Sequence, residues 1–266
     1  MIFVGERINT SRKGIASLVE ARDEQRIVEM AREQKDAGAT FVDVNCGTLL
    51  DAEAESLEWM VKTIQGVVDT PLSLDSPNPV ALRKALAAHK GKALVNSISL
   101  EKDRLEAILP LIQEYGCATV ALAMDDTGIP ETVDDRVDIA SRLTEKLLGS
   151  GMAVEDIFLD PLVRPISTGG ENGTIVLETI RRIHQSYPGI HTIIGLSNIS
   201  FGLPGRRLLN RAFLLLAMEA GLNAAILDPL DATMMSLVQA GQALLGKDEY
   251  CLEYISSFRA GKLQID

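Results

Sequence analysis

Short apolar runs alternate along this chain with longer stretches in which apolar residues recur every three or four positions. The runs at 2–4, 40–44, 71–74, 93–95, 118–124, 156–159, 192–194 and 224–227 read as strands. The stretches at 24–37, 54–68, 79–89, 103–115, 134–148, 175–187, 206–220 and 233–245 read as amphipathic helices. Gly38, Gly116 and Gly149 stand where three of those helices stop. Residues 164–173, with three glycines and no apolar period, read as a long loop. Eight successive β/α units predict an α/β fold, a (β/α)8 TIM barrel spanning 1–266 as one domain.

Composition narrows the class. A chain of 266 residues that is 46% hydrophobic can bury a sizeable core. No apolar run approaches the ~20 residues that span a bilayer, and the start, MIFVGERIN, enters a strand without a basic region and cleavage site. A cytoplasmic protein with no membrane role is therefore expected. Cys46, Cys117 and Cys251 are odd in number and far apart, which argues against a disulfide framework. The formal charge of −11 argues against a nucleic-acid partner.

Polar residues gather at the strand ends. Asn9, Asp43, Asn45, Asp75, Asn96, Asp125, Asp160, Asn198 and Asp228 lie at or just past the C-terminal ends of the expected strands, which share one rim on a barrel. Any one of them can be a turn or cap residue. Together they make an acidic, amide-lined mouth. None of His89, His184 and His191 belongs to the set, so no histidine-based metal site is expected. Cys46 near the rim reads as a buried thiol, and carboxylate-held magnesium or phosphate at Gly169, Gly170 and Gly173 stays open. A neutral heterocycle rich in N–H donors suits carboxylates and carboxamides better, and a 2-amino-4-oxo pyrimidine ring presents that edge.

Five segments carry a resemblance: GERIN at 5–9, LDSPN at 74–78, VNSIS at 95–99, LDPL at 159–162 and GLSNISFGLPGRRLLNRAF at 195–213. In this order they resemble the pterin-binding methyltransferases, above all the methyltetrahydrofolate:corrinoid protein methyltransferases. The folate-binding module of cobalamin-dependent methionine synthase is similar too. The resemblance implies that Asp75, Asn96 and Asp160 hydrogen-bond the pterin edge and that Asn198 meets N5, the nitrogen that carries the methyl group. Gly195, Ser197 and Arg206 fall in the same substrate-binding segment. Glu6, Asn9, Asp43 and Asn45 are candidate rim contacts. Phe201 stands where some members carry a polar side chain.

Tetrahydrofolate or methyltetrahydrofolate is then the substrate, and Asn198 and Asp160 are the candidate catalytic pair. The methyl group leaves or reaches N5 only if charge on that nitrogen is stabilised, and Asn198 can donate a hydrogen bond that strengthens as the charge grows. No segment here resembles a cobalamin-binding domain, so the corrinoid is expected on a separate protein. No tightly bound metal is expected, and the resemblance implies a homodimer in which the apolar 213–218 run could serve. A folate-binding module without catalysis and a dihydropteroate synthase-like enzyme are the alternatives. Against the latter, the synthase lysine and arginine motif is not evident.

Overall fold

The protein is described here by a computed structural model of residues 1–264. Its elements run β1 (Ile2–Asn9), α1 (Ile15–Glu20), α2 (Glu24–Asp36), β2 (Phe41–Asn45), α3 (Glu53–Gln65), β3 (Leu72–Asp75), α4 (Pro79–Ala88), β4 (Leu94–Ile98) and α5 (Lys102–Tyr115). There follow β5 (Ala118–Leu122), α6 (Val133–Gly149), β6 (Ile157–Asp160), α7 (Asn172–Ser186), β7 (His191–Thr192), α8 (Arg206–Glu219), β8 (Ala224–Leu227), α9 (Ala232–Leu244) and α10 (Leu252–Arg259). The strands are parallel and pair in the order β7-β6-β5-β4-β3-β2-β1-β8. The ring closes where the Ile226 N–H donates to the Ile194 carbonyl at 2.9 Å beside a parallel bridge between Gly195 and Ile226. This is the TIM barrel that the alternation predicts.

Two apolar layers make it stand. Inside the ring, Val4, Leu94, Ala118, Val120, Phe158, Ile193 and Ala224 form one buried cluster. Outside it, larger clusters fill the space between strands and helices, with Ile27, Leu57, Ile64, Leu82 and Leu143 among the helix contributions to one and Val176, Leu214 and Val238 to another. Several helices start just past a strand end on a side-chain cap. Asn78 accepts from the N–H groups of Val80 and Ala81, Thr132 from Asp135 and Asp231 from Met234. Among the described residues, no helix is long and apolar enough to cross a membrane.

The departures from expectation concern the mouth. β1 does not stop at Val4 but runs through Asn9, with a register shift between Gly5 and Ile8 that sets Glu6 and Arg7 in a bulge. Gly5 permits this, because a Cβ there would lie 2.5 Å from Oε1 of buried Gln34, the same atom that accepts from the Arg7 N–H at 3.0 Å. β7 keeps only two residues, although Ile193 and Ile194 are fully buried. The chain then turns into a 3-10 segment, Leu196–Ser200, so Asn198 sits in a turn just past the strand end, as expected. The short α1 and the terminal α10 add to the expected helices. In the 213–218 run, Phe213, Leu214, Ala217 and Met218 are buried against the barrel, leaving Leu216 as its exposed large side chain.

Candidate active site at the barrel mouth

Strand register builds the floor of the site. Asn9 pairs with Asn45, Asn45 with Asp75, and Asp75 with Asn96, so four adjacent strands carry one row of amide and carboxyl side chains. Two residues lower on β2, Asp43 pairs with Ser73. Side chains two apart point the same way, so Asp43 and Asn45 share the interior face, above the apolar cluster of the barrel.

These groups are bonded among themselves. The Asn45 amide donates to Asp75 Oδ2 at 2.9 Å, while its Oδ1 accepts from the Gly47 N–H at 3.0 Å. Ser73 Oγ donates to Asp43 Oδ1 at 2.6 Å, and Asn96 Nδ2 approaches the same oxygen at 3.4 Å. Behind the row, buried Glu53 accepts from Ser76 Oγ at 2.5 Å and from Asn78 Nδ2 at 3.1 Å, tying the turn after Asp75 to the start of α3.

Above the floor opens a cavity of about 970 Å³, whose wall includes Glu6, Asn9, Asp43, Asp75, Asn96, Gly195, Ser197, Asn198, Phe201 and Arg206. The structure thus brings together most of the residues singled out in the sequence. Asn45 acts through Asp75, since it does not line the cavity. Asp160 ends β6 with 7% exposure and does not reach the cavity wall. Asp125 lies apart in its own turn, accepting from the N–H and hydroxyl of Thr127. The buried Cys46 thiol, its pKa pushed up to about 12 by burial, is unreactive packing. His191 lies at the N-terminal end of β7, far from the mouth-side strand ends, and stacks on Phe158 with ring centroids 4.5 Å apart.

The turn after β7 is held from outside. Arg206 donates to the Ser197 carbonyl at 2.6 Å and to Ser200 Oγ at 3.1 Å, and Ser200 Oγ donates to Asn210 Oδ1 at 2.7 Å. Ser197 Oγ reaches Glu6 Oε2 at 3.3 Å, joining the turn to the β1 bulge. The Asn198 carboxamide, by contrast, is exposed and makes no hydrogen bond within the described residues. It is therefore not the cap or turn brace that its residue type allows. Gly195 is shaped to it: a Cβ there would stand 2.9 Å from Asn198 Nδ2.

Burial pushes the carboxyl pKa values of the mouth upward. It raises the pKa of Glu6 despite the opposing charge of Arg12 and the Ser197 hydroxyl. Asp43 is raised well above the ordinary range by burial and by the neighbouring Asp75 charge. Burial also raises Asp75, against donation from Asn45 and the charge of Arg104. Asp160 is pushed up to about 7 by burial, opposed by the Leu162 N–H at 2.8 Å and by the charge of Arg136. A ligand that supplies N–H donors favours the ionised form of such carboxyls. The apparatus behind Asp160 was not visible in the sequence. Fully buried Arg136 on α6 donates to the carbonyls of Pro161 at 2.7 Å and Leu162 at 2.6 Å, holding Leu162 at a left-handed φ of 64°. The strand-end LDPL motif hints at a special turn, but nothing local links it to an arginine 25 residues earlier.

A barrel mouth floored by amides and buried carboxyls, with one unengaged carboxamide above, defines a site for a flat, donor-rich heterocycle. Residues 5–228 match the family described as pterin binding enzyme, and the chain belongs to that family. It is 38% identical over 265 residues to a methylcorrinoid:tetrahydrofolate methyltransferase of Eubacterium limosum, covering 99% of this chain and 98% of that protein. A methionine synthase of Mycobacterium tuberculosis is 31% identical over 239 residues, 85% of this chain but 20% of that protein, so the chain spans about a fifth of that relative. Among solved structures, a dihydropteroate synthase from Xanthomonas albilineans in complex with 7,8-dihydropteroate superposes with a TM-score of 0.71 at 18% identity, over 91% of this chain and 94% of that one. That likeness concerns the fold.

Proposed function

We propose that this protein is a methyltransferase that moves a methyl group between N5 of tetrahydrofolate and the cobalt of a corrinoid carried on a separate protein. The end-to-end 38% identity to the Eubacterium limosum methyltransferase supports the reaction class. The observation that carries the site assignment is the free Asn198 carboxamide above the bonded row of Asn45, Asp75 and Asn96. Asp75 and Asn96 take the N–H edge and ring nitrogens of the pterin, and Asp160, set back behind the cavity wall at the end of β6, completes that edge when the ligand draws its carboxyl forward in the ionised form. With that edge on the bonded floor, N5 in this reading lies towards the turn that carries Asn198.

In the direction of folate methylation, the N5 lone pair takes the methyl carbon, cobalt keeps the pair of the broken bond, and the N5 proton leaves to water. In reverse, N5 regains a proton as the methyl group departs. The Asn198 N–H donates to N5 in the form that has lost the methyl group and carries the greater electron density. Removing a donor of this kind costs ~10²–10³ in rate. The corrinoid stays at the cavity mouth, because its macrocycle is too wide for a cavity that already holds folate.

The test is an anaerobic absorbance assay in which tetrahydrofolate is mixed with methylcobalamin, and methyltetrahydrofolate with cob(I)alamin. Spectral conversion with the wild-type protein, slowed in Asn198→Ala, is the expected result. Tight folate binding without conversion, with free or protein-borne corrinoid, would make the chain a folate-binding module. Product formation from a pterin pyrophosphate and aminobenzoate would make it a synthase. The reading also includes a cytoplasmic location, checked by cell fractionation, and a homodimer. Exposed Leu216, Leu244, Tyr250, Leu252 and Phe258 on and around α8, α9 and α10 supply an apolar face for the dimer, and sedimentation of Leu244→Asp would read its loss.

A further inference from the structure

The turn after β7 and the start of α8 carry features that neither folate binding nor folding accounts for. Phe201 is 65% exposed and Leu208 is 74% exposed, on either side of the Gly202–Gly205 stretch. α8 opens with Arg206 and Arg207, has no acidic residue in its first turn and no side-chain cap, and its N-cap is Gly205 in a left-handed conformation. Two cations in a helix's first turn oppose its macrodipole, so this terminus is less stable than it need be. Arg206 is bonded to the preceding turn, but exposed Arg207 makes no ion pair among the described residues; its acidic neighbour, Asp231, is already held by Arg211 at 2.6 Å. Lys13, exposed in the loop after β1, extends the same sign across the adjoining rim. Two strands further round the rim, after β5, Asp126 and Glu131 are exposed, Glu131 paired with Arg164 at 2.6 Å. On a chain whose net charge is −11, the sector of the rim beside Asn198 is thus locally basic with an apolar centre.

We propose that this sector, Phe201 with the first turn of α8, is the docking surface for the corrinoid-carrying protein, and that the facing surface of that partner is acidic around an apolar centre. The inference rests on the methyl-transfer reading and adds to it the site and chemistry of partner contact. A methyl group passes only if cobalt stands over N5, so the partner must touch the rim beside Asn198, and this sector is that rim. The basic charge of this sector, on a chain of net charge −11, steers and orients an acidic partner. Exposed aromatic and aliphatic residues at its centre supply the desolvated contact.

Arg207→Glu and Leu208→Asp test it, because both place an acid in the first turn of α8, where the helix is strengthened rather than weakened. The assay compares free methylcobalamin with a recombinant corrinoid-binding protein loaded with methylcobalamin, each with tetrahydrofolate. Leu208→Asp, which lies off the cavity wall, is expected to match wild type within twofold with free methylcobalamin and in tetrahydrofolate affinity, whereas Arg207 lines the cavity and its variant is read through its salt dependence. With the protein-borne corrinoid, KM should rise at least tenfold, and the weakening of wild-type KM by salt should shrink in Arg207→Glu. Equal behaviour of wild type and variants with the protein-borne corrinoid would overturn the docking surface, as would equal losses with both corrinoids. A dimer that falls to monomer in Leu208→Asp would assign the face to a second copy of the chain. If wild type transfers no methyl group from either corrinoid, the underlying reaction fails instead, a result distinct from all of these.

Discussion

On the side of the mouth built by β2, β3 and β4, every polar group of the floor has a protein partner: Asn45 holds Asp75, while Ser73 and Asn96 converge on Asp43. On the side built by β7 and the turn after it, the backbone is tied down by Arg206 and Ser197, yet the Asn198 carboxamide engages nothing. The first arrangement spends no freedom when a ligand arrives, so it serves recognition. The second keeps its donor uncommitted until charge appears on the ligand, so it serves the reaction step. Changes on the two sides should therefore separate affinity from rate.

The largest expected effect comes from the free side. Asn198→Ala should lower the single-turnover methyl-transfer rate by ~10²–10³ while the tetrahydrofolate Kd stays within about threefold, since no ground-state bond of the protein is lost. Stopped-flow spectra and calorimetry give the two numbers. A matched fall in affinity and rate would merge the two sides into one.

Next comes the bonded side. Asp75→Asn removes a charged acceptor and sets two amides against each other where Asn45 now donates. Hydrogen bonds to charged groups contribute ~1.5–3 kcal/mol, so the Kd for tetrahydrofolate should rise by about 10- to 100-fold. Turnover at saturating folate should fall much less. A variant that binds normally but reacts slowly would move Asp75 into the chemistry.

The contrast between the two sides also tracks what could be read from the chain. Alternating runs revealed the barrel, and Asp75, Asn96 and Asn198 stood out because strand-end polar residues coincide with family motifs. The continuous row Asn9, Asn45, Asp75, Asn96 needed strand register, which no single segment encodes. β7 is regular over His191–Thr192 alone, although Ile193 and Ile194 still bond to the neighbouring strands through the Leu159 carbonyl and the Ile226 N–H, a break in regularity that apolar spacing does not encode. α1 carries little more than one turn of apolar spacing and begins after a left-handed Gly14, so it gave almost no periodic signal. Arg136 and Gln34 act through contacts 25 or more residues away, which makes them look like ordinary helix residues in the sequence.

Asp160, at the end of β6 beyond the bonded side, allows recognition to be probed by pH. Its folded pKa of about 7 exceeds the ordinary value of 3.8. Between these, the folded chain holds a proton that the unfolded chain lacks. The stability from this group is therefore full at low pH and falls by up to about 1.4 kcal/mol per pH unit until the folded group ionises. A pterin that donates to the carboxylate favours the ionised form, so tetrahydrofolate affinity should be about tenfold weaker at pH 6 than at pH 8. Calorimetry across that range, in two buffers of different ionisation heat, should also show proton release on binding near pH 6. Asp160→Asn should flatten the affinity profile, and a wild-type profile that is already flat would remove Asp160 from the pterin contacts.

The smallest effect is the most selective between the two sides. Gly195→Ala adds a methyl group 2.9 Å from Asn198 Nδ2, and the glycine backbone, at φ −74° and ψ 89°, accepts alanine without left-handed strain. The clash is with the end of an exposed side chain, which relieves it by shifting a few tenths of an ångström. Stability and tetrahydrofolate affinity should hardly change. The donor, however, leaves its aim at N5, and a misalignment costing about 1 kcal/mol slows transfer roughly fivefold. Combining Gly195→Ala with Asn198→Ala makes the cause visible, because once the carboxamide is gone the added methyl group has nothing to displace. The double variant should transfer methyl groups no more slowly than Asn198→Ala alone. A further fivefold loss in the double variant would mean that Gly195 touches the ligand itself rather than aiming Asn198.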